Sequence, residues 1–250
     1  MIYNEKMNIF NNRDEFIKAR LEEKQKIFDK ILKNFSEIAL EAHVFGSSAN
    51  GLGDEFSDID FWATFFDEEV EEVINKRFNI FESIGEILIF HEAQQNYPLG
   101  GIYTLLLYKT DSGPIHIDFY LSPVASARLW GDTRILFNKR NLEIPKGEMI
   151  YDPKREKRDA QDRVKFVICM TFSGIKKITR KDYQFLDFLV EIYNDLRQKS
   201  FPEMAMVANQ NSFETVKKIL HNLANIANEQ NKNAIYQIES FLKQVRELYS

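Results

Sequence analysis

The spacing of apolar residues changes period several times along the first half of the chain. From Asn12 to Phe35 they recur at helical intervals, at Phe16, Ile17, Leu21, Ile27, Phe28, Ile31, Leu32 and Phe35. Asn12 followed by Glu15 resembles a capping box with Asn in place of Ser or Thr. The period then drops to that of strands. Ile38–Phe45 reads as a first strand closed by Gly46, residues 46–57 as a loop, and Ile59–Phe66 as a second strand rich in aromatics. Asp67–Ile84 returns to helical spacing, with acidic residues in the first turn where the helix dipole favours them. Glu86–His91, Ile102–Lys109 and Pro114–Leu121 read as further strands. Thr110-Asp111-Ser112-Gly113 supplies hairpin-turn residues between the last two. Asn96–Gly101 reads as a turn, Val124–Trp130 as a short helix and Thr133–Phe137 as a short strand.

Beyond Pro153 the strand pattern stops. Glu156–Lys177, Asp182–Lys199, Ser212–Glu229 and Lys232–Leu248 all carry helical spacing, as in the stripe Phe185, Leu189, Ile192, Leu196. Helices of similar length on short links predict an antiparallel bundle. The expected class is therefore α+β: a mixed β-sheet with flanking helices over residues 1–152, followed by an α-helical bundle over residues 153–250.

The 250 residues suffice for a sizeable core, and their net charge of -5 argues against a global nucleic-acid or membrane surface. Cys169 is the only cysteine, so no disulfide forms within the chain. No stretch has the apolar length of a signal peptide core or a membrane span. These features read as a cytoplasmic protein.

The chemistry concentrates in His43–Phe65, HVFGSSANGLGDEFSDIDFWATF. Residues two apart on a strand share a face, so Asp58 and Asp60 point one way while Ile59 and Phe61 point into the core. The same alternation in Ile115–Tyr120 puts His116 beside Asp118. Three aspartates meeting on one edge repel one another unless a cation intervenes, and carboxylate oxygens suit Mg²⁺. Gly46-Ser47, directly after a strand, lets backbone N–H groups approach a phosphate, and the Ser47 hydroxyl adds a donor. The segment lacks the lysine of a Walker loop and has no GxGxxG. Ordinary structural readings suffice for most other polar or bulky residues. His43, His91 and His221 have no zinc-ligand spacing. Cys169 sits in an apolar run, and Trp62 and Trp130 are expected in the core. Ser48 is assigned to the loop's own fold and His116 to packing or the surface. Tyr183 and Tyr193 fit either a substrate cleft or the bundle core.

Gly46-Ser47, ten residues, Asp58-Ile59-Asp60 and a later strand carrying Asp118 together resemble the nucleotidyltransferase superfamily typified by DNA polymerase β. The phrase GDEFSDIDF is similar to that of small bacterial members. The helical second half and the phrase MIYDPKRE resemble the enzymes that modify aminoglycosides and lincosamides. The motif match spans roughly 75 residues, from His43 to Asp118; the match of the bundle is looser. The resemblance implies that Asp58 and Asp60 hold Mg²⁺, two ions in the usual arrangement, against the phosphates of ATP or another nucleoside triphosphate. It implies that Gly46 and Ser47 grip the terminal phosphates. Asp118 would complete the metal site or accept the proton of an attacking hydroxyl. In the antibiotic-modifying members a bundle lysine reaches the phosphates, which singles out Lys176 or Lys177, with Lys177 taken as the nucleotide-binding candidate. The active site would lie in the cleft between the two domains.

The expected activity is Mg²⁺-dependent transfer of a nucleoside monophosphate, AMP from ATP, to a hydroxyl of a small molecule, with release of pyrophosphate. An aminoglycoside or lincosamide antibiotic is the leading acceptor. A homodimer is compatible with this reading. The alternatives are adenylylation of a protein partner and nucleotide binding without catalysis.

Overall fold

The computed structural model describes residues 10–51, 53–154, 159–210 and 212–249. The elements run α1 (Arg13–Ile38), β1 (Glu41–Phe45), β2 (Ile59–Phe65), α2 (Val70–Ile84), β3 (Ile87–Glu92), β4 (Ile102–Tyr108), β5 (Ile115–Pro123), β6 (Thr133–Asn138), α3 (Ala160–Thr179), α4 (Gln184–Ser200), α5 (Phe213–Ala224) and α6 (Glu229–Tyr249). They form two compact units. One holds residues 18–108 together with the chain from Ile115 through β6; the other holds the C-terminal helices, the start of α1 up to Ile17, and the β4–β5 turn Lys109–Pro114.

The first unit is a six-stranded mixed sheet in the order β3-β4-β5-β2-β1-β6. Only β2 and β5 pair in parallel; their neighbours pair antiparallel. Period-two alternation sorts the side chains onto two faces. Val44, Ile59, Phe61, Leu106, Ile117 and Phe119 face α1 and α2, where Ile27, Ile31, Phe35, Phe81 and Ile84 complete the core. Ring pairs tie it together: Phe81 lies 4.6 Å from Phe119 and Phe35 lies 5.0 Å from Phe61. The opposite face carries an aromatic ladder across four adjacent strands. His43 stacks on Trp62 at 5.6 Å, Trp62 on Tyr120 at 5.1 Å, and Tyr120 meets Tyr103 at 4.6 Å. Trp62 Nε1 donates to Ser122 Oγ at 2.9 Å, and the buried Glu41 links His43 Nδ1 (2.8 Å) to Thr64 Oγ1 (2.9 Å). These partners satisfy polar atoms that are costly to bury alone.

In the second unit α3 packs on α4, α5 and α6. Phe172 and Phe241 meet at 5.4 Å, and Phe16 from the start of α1 joins Phe241 at 6.1 Å.

Among the described residues the expected strands and long helices are present with shifted ends, and the short helix expected over Val124–Trp130 is not. Asn12 caps α1 by accepting the Glu15 N–H at 2.9 Å. The return bond of the capping box goes to the Asn11 N–H, at 3.4 Å, rather than to that of the cap itself. The first strand starts at Glu41 because α1 continues to Ile38. The second helix begins at Val70, so Asp67, Glu68 and Glu69 precede it, while Glu71 and Glu72 stand in its first turn as expected. Val124–Trp130 contains only a 3₁₀ turn, Val124–Ser126. Trp130 is 48% exposed, contrary to the core position expected for it. The helix expected over Ser212–Glu229 stops at Ala224, and Asn228 caps α6 by accepting the Asn231 N–H at 2.8 Å. The start expected at Glu156 falls outside the described residues; the described part of α3 opens on Asp159, whose side chain accepts the Asp162 N–H. Cys169 is buried, and Tyr193 is buried with its hydroxyl on the Ala205 carbonyl at 2.7 Å. No described helix is long and apolar enough to cross a membrane.

Candidate active site

The chain leaves β1 through a 3₁₀ turn, Gly46–Ser48. Gly46 has φ +60°, a left-handed conformation that glycine adopts without penalty. A Cβ there would stand 3.2 Å from Asp60 Oδ2, so the turn and this carboxylate are in close approach. Ser48 binds them from beneath: its buried hydroxyl donates to the Asp58 carbonyl at 3.0 Å and accepts the Asp60 N–H at 3.4 Å. Ser47 is exposed beside it.

The loop before Asp58 is tethered from below. Arg20 and Lys24 of α1 are 3% and 2% exposed, unusual for cations. Arg20 Nε donates to the Glu55 carbonyl at 2.9 Å and Lys24 Nζ to the Asp54 carbonyl at 2.7 Å. Within the loop Asp54 Oδ1 accepts from the Phe56 N–H (3.0 Å) and the Ser57 hydroxyl (2.7 Å).

The parallel pairing of β2 with β5 sets Asp60 directly beside Asp118. Asp58 lies one residue before β2, and His116 joins it to the others. His116 Nδ1 is 3.0 Å from Asp58 Oδ1, and Nε2 is 3.1 Å from Asp118 Oδ1. The hydroxyl of Tyr103, on β4, donates to the same Asp118 oxygen at 2.6 Å. The Asp58 and Asp118 side chains are 30% and 15% exposed against 5% for His116, so the carboxylates reach solvent while the imidazole lies beneath. Burial pushes the Tyr103 hydroxyl well above the ordinary tyrosine range, and the Asp118 charge adds to the effect. Tyr120 is raised the same way, by burial first and then by Asp118 and Asp60. Both phenols therefore remain neutral, and Tyr103 is the one that donates to Asp118.

Gly46, Asp58, Asp60 and Asp118 thus belong to one patch, with Ser47 in its turn. Lys177 belongs to the other unit. Its ammonium pairs with Asp182 at 2.9 Å, while the neighbouring Lys176 is 4% exposed and lies over the Phe172 ring at 5.4 Å. Two residues of the patch escape a reading of the sequence. The alternation that aligns His116 with Asp118 is visible, but nothing in the sequence says that one imidazole joins two carboxylates. Tyr103 gives no signal, because β4 is apolar almost throughout.

Among the described residues no three His, Cys, Asp or Glu side chains form a ready cage for a metal ion. The donor chemistry still fits Mg²⁺. That ion commonly takes one or two carboxylates and fills its shell with water and substrate phosphates. Two neighbouring carboxylates, Asp60 and Asp118, beside a glycine turn meet that requirement.

The family model described as nucleotidyltransferase domain matches residues 24–186, which include this patch. Two solved structures give weak overall similarity. The GLD-2/RNP-8 complex is 12% identical, covering 84% of this chain and 74% of that one, with a TM-score of 0.29. The STING-associated CdnE c-di-GMP synthase from Capnocytophaga granulosa is 15% identical, covering 92% and 81%, with a TM-score of 0.27. No curated protein sequence matches the chain at a significant level.

Proposed function

The chain belongs to the nucleotidyltransferase domain family and is a nucleotidyltransferase; from that premise we propose that it moves AMP from ATP to a hydroxyl of a small molecule and releases pyrophosphate. The observation that carries the reading is the pairing of Asp60 with Asp118 beside the Gly46 turn, with Asp58 joined to Asp118 through His116. Asp58, Asp60 and Asp118 would hold the metal. Two Mg²⁺ ions bound there would neutralise charge on the attacking and leaving oxygens. The Gly46 turn and the Ser47 hydroxyl would orient the terminal phosphates, as a concave backbone rich in N–H groups does for anions. The acceptor oxygen would attack the α-phosphorus in line, its proton passing to Asp118 or to solvent, and the bond to pyrophosphate would break as the new one forms. Positioning and electrostatics supply most of the rate in such transfers. An aminoglycoside or lincosamide is the proposed acceptor, and this rests on the resemblance of the helical half rather than on any residue that reads the acceptor.

The test uses α-³²P-ATP, Mg²⁺ and a panel of aminoglycosides, lincosamides and cell proteins. Wild type is compared with Asp58→Asn/Asp60→Asn. Label on an antibiotic that disappears in the double variant supports the proposal. Label on protein alone redirects the acceptor assignment, and ATP binding without transfer to any acceptor would refute a catalytic role.

A further inference from the structure

We infer that Tyr103 is a positioning residue that fixes which oxygen of Asp118 does the work. The inference rests on the proposed role of the three aspartates. Both hydrogen bonds that described residues make to Asp118 end on Oδ1: one from Tyr103 at 2.6 Å and one from His116 at 3.1 Å. Oδ2 accepts none from a described residue. A carboxylate held by one oxygen from two directions cannot spin about its Cβ–Cγ bond without losing both donors. Oδ2 is therefore the oxygen presented to a cation or to an acceptor hydroxyl.

The hold on Tyr103 is rigid. Its residue is 6% exposed. It stands opposite Tyr120 in the β4–β5 register, and the two rings meet at 4.6 Å. Tyr120 stacks on Trp62 at an interplanar angle of 4°, and Trp62 on His43 at 14°. Four strands thus contribute a packed row of rings that ends in the hydroxyl touching Asp118. The Tyr103 hydroxyl donates to Asp118 Oδ1 at 2.6 Å, so the ring's position sets the direction of that bond. The ladder serves to aim that hydroxyl at one oxygen of Asp118.

Tyr103→Phe keeps the ring and deletes only the donor. Tyr108→Phe is the control, since it deletes an equally buried hydroxyl that donates to the Phe81 carbonyl at 2.9 Å, within the core on the other face. Mn²⁺ affinity is measured by electron paramagnetic resonance with α,β-methylene ATP present, alongside steady-state kinetics and thermal melting. For Tyr103→Phe we expect Mn²⁺ affinity and kcat each to fall about tenfold, with KM for ATP changed by less than about twofold. Tyr108→Phe should lose stability with both quantities unchanged. Unchanged Mn²⁺ affinity and kcat in a folded Tyr103→Phe overturns the role of Tyr103 and leaves the proposed function standing. Absence of Mn²⁺ binding in the wild type overturns both. A crystal structure of the wild type with Mn²⁺ and the same analogue tests the point without any variant. Mn²⁺ on Asp118 Oδ2 with Tyr103 still on Oδ1 supports the inference, and Mn²⁺ on Oδ1 with Tyr103 displaced overturns it.

Discussion

Replacing Gly46 by alanine separates the backbone cost of the turn from its effect on the carboxylate. Gly46 has φ +60°, where a residue with a Cβ pays about 1–2 kcal/mol. The new Cβ would also stand 3.2 Å from Asp60 Oδ2, so that carboxylate must yield by a few tenths of an ångström. Gly131 is a matched control. It has φ +58°, and a Cβ added there would meet nothing within 4 Å, so Gly131→Ala carries the strain without the contact. Both variants should therefore melt about 2–8 °C lower, at about 2–4 °C per kcal/mol for a chain of this size. Only Gly46→Ala should lose activity. Misplacing a reacting group by about 1 Å can cost about a hundredfold in rate, so a smaller shift of Asp60 predicts a loss of about tenfold in kcat. Differential scanning fluorimetry and transfer of label from ATP read the two effects separately. Equal kcat in the two variants, at equal loss of melting temperature, would refute the claim that the turn sets the position of Asp60.

Two more outcomes follow from packing and ionisation. Gly113 has φ +108°, and a Cβ there would lie 2.2 Å from Phe241 Cδ2, so Gly113→Ala should destabilise by about 3 kcal/mol or more through strain and overpacking; chemical denaturation checks it, and a loss below about 1 kcal/mol contradicts the contact. Tyr103, Tyr108 and Tyr120 all have folded-state pKa values raised by burial above the ordinary value of 10.0. Their neutral forms therefore contribute stability that is fully present below the unfolded pKa and is lost as pH rises above it. Each costs about 1.4 kcal/mol per pH unit beyond about pH 10, so denaturation midpoints should drop steeply there and a flat profile to pH 11.5 counts against the burial of these phenols.

The sheet's order and the carboxylate patch are legible in the sequence to different degrees, for physical reasons. Strand alternation alone puts Asp58, Asp60 and Asp118 on the face opposite Ile59, Phe61 and Phe119, because the period of two leaves no other choice. Which strands lie side by side is a long-range matter. The parallel pairing that sets Asp60 beside Asp118 joins residues far apart in the chain, and no local pattern encodes it. Helix ends differ from the apolar pattern where a cap decides them. Asn228 starts α6 through one hydrogen bond to the Asn231 N–H, in a polar run, Asn228–Asn233, where no apolar residue marks the boundary. The size of Trp130 predicts a core position, yet it stands just before the outer strand β6 and packs on Phe45 at 5.7 Å with much of its surface in water.

The two sides of the sheet solve different problems, and this explains where the polar residues went. The helix-covered side is held by apolar area and ring contacts, which tolerate rearrangement within the core. The side bearing the aspartates cannot rely on such contacts, because a carboxylate free to rotate fixes no ligand. There each acidic side chain or its backbone is tied to something rigid. Ser48 ties the backbone at Asp58 and Asp60, His116 spans Asp58 and Asp118, and Tyr103 adds the second bond to Asp118. The loop that leads into them hangs on Arg20 and Lys24, which reach it from the helix on the far side of the sequence motif. Burying two cations is a stability cost that apolar residues would avoid. Its location beneath the Gly53–Ser57 loop, rather than anywhere else in α1, indicates that what it stabilises is the position of the motif and not the helix that carries the charges.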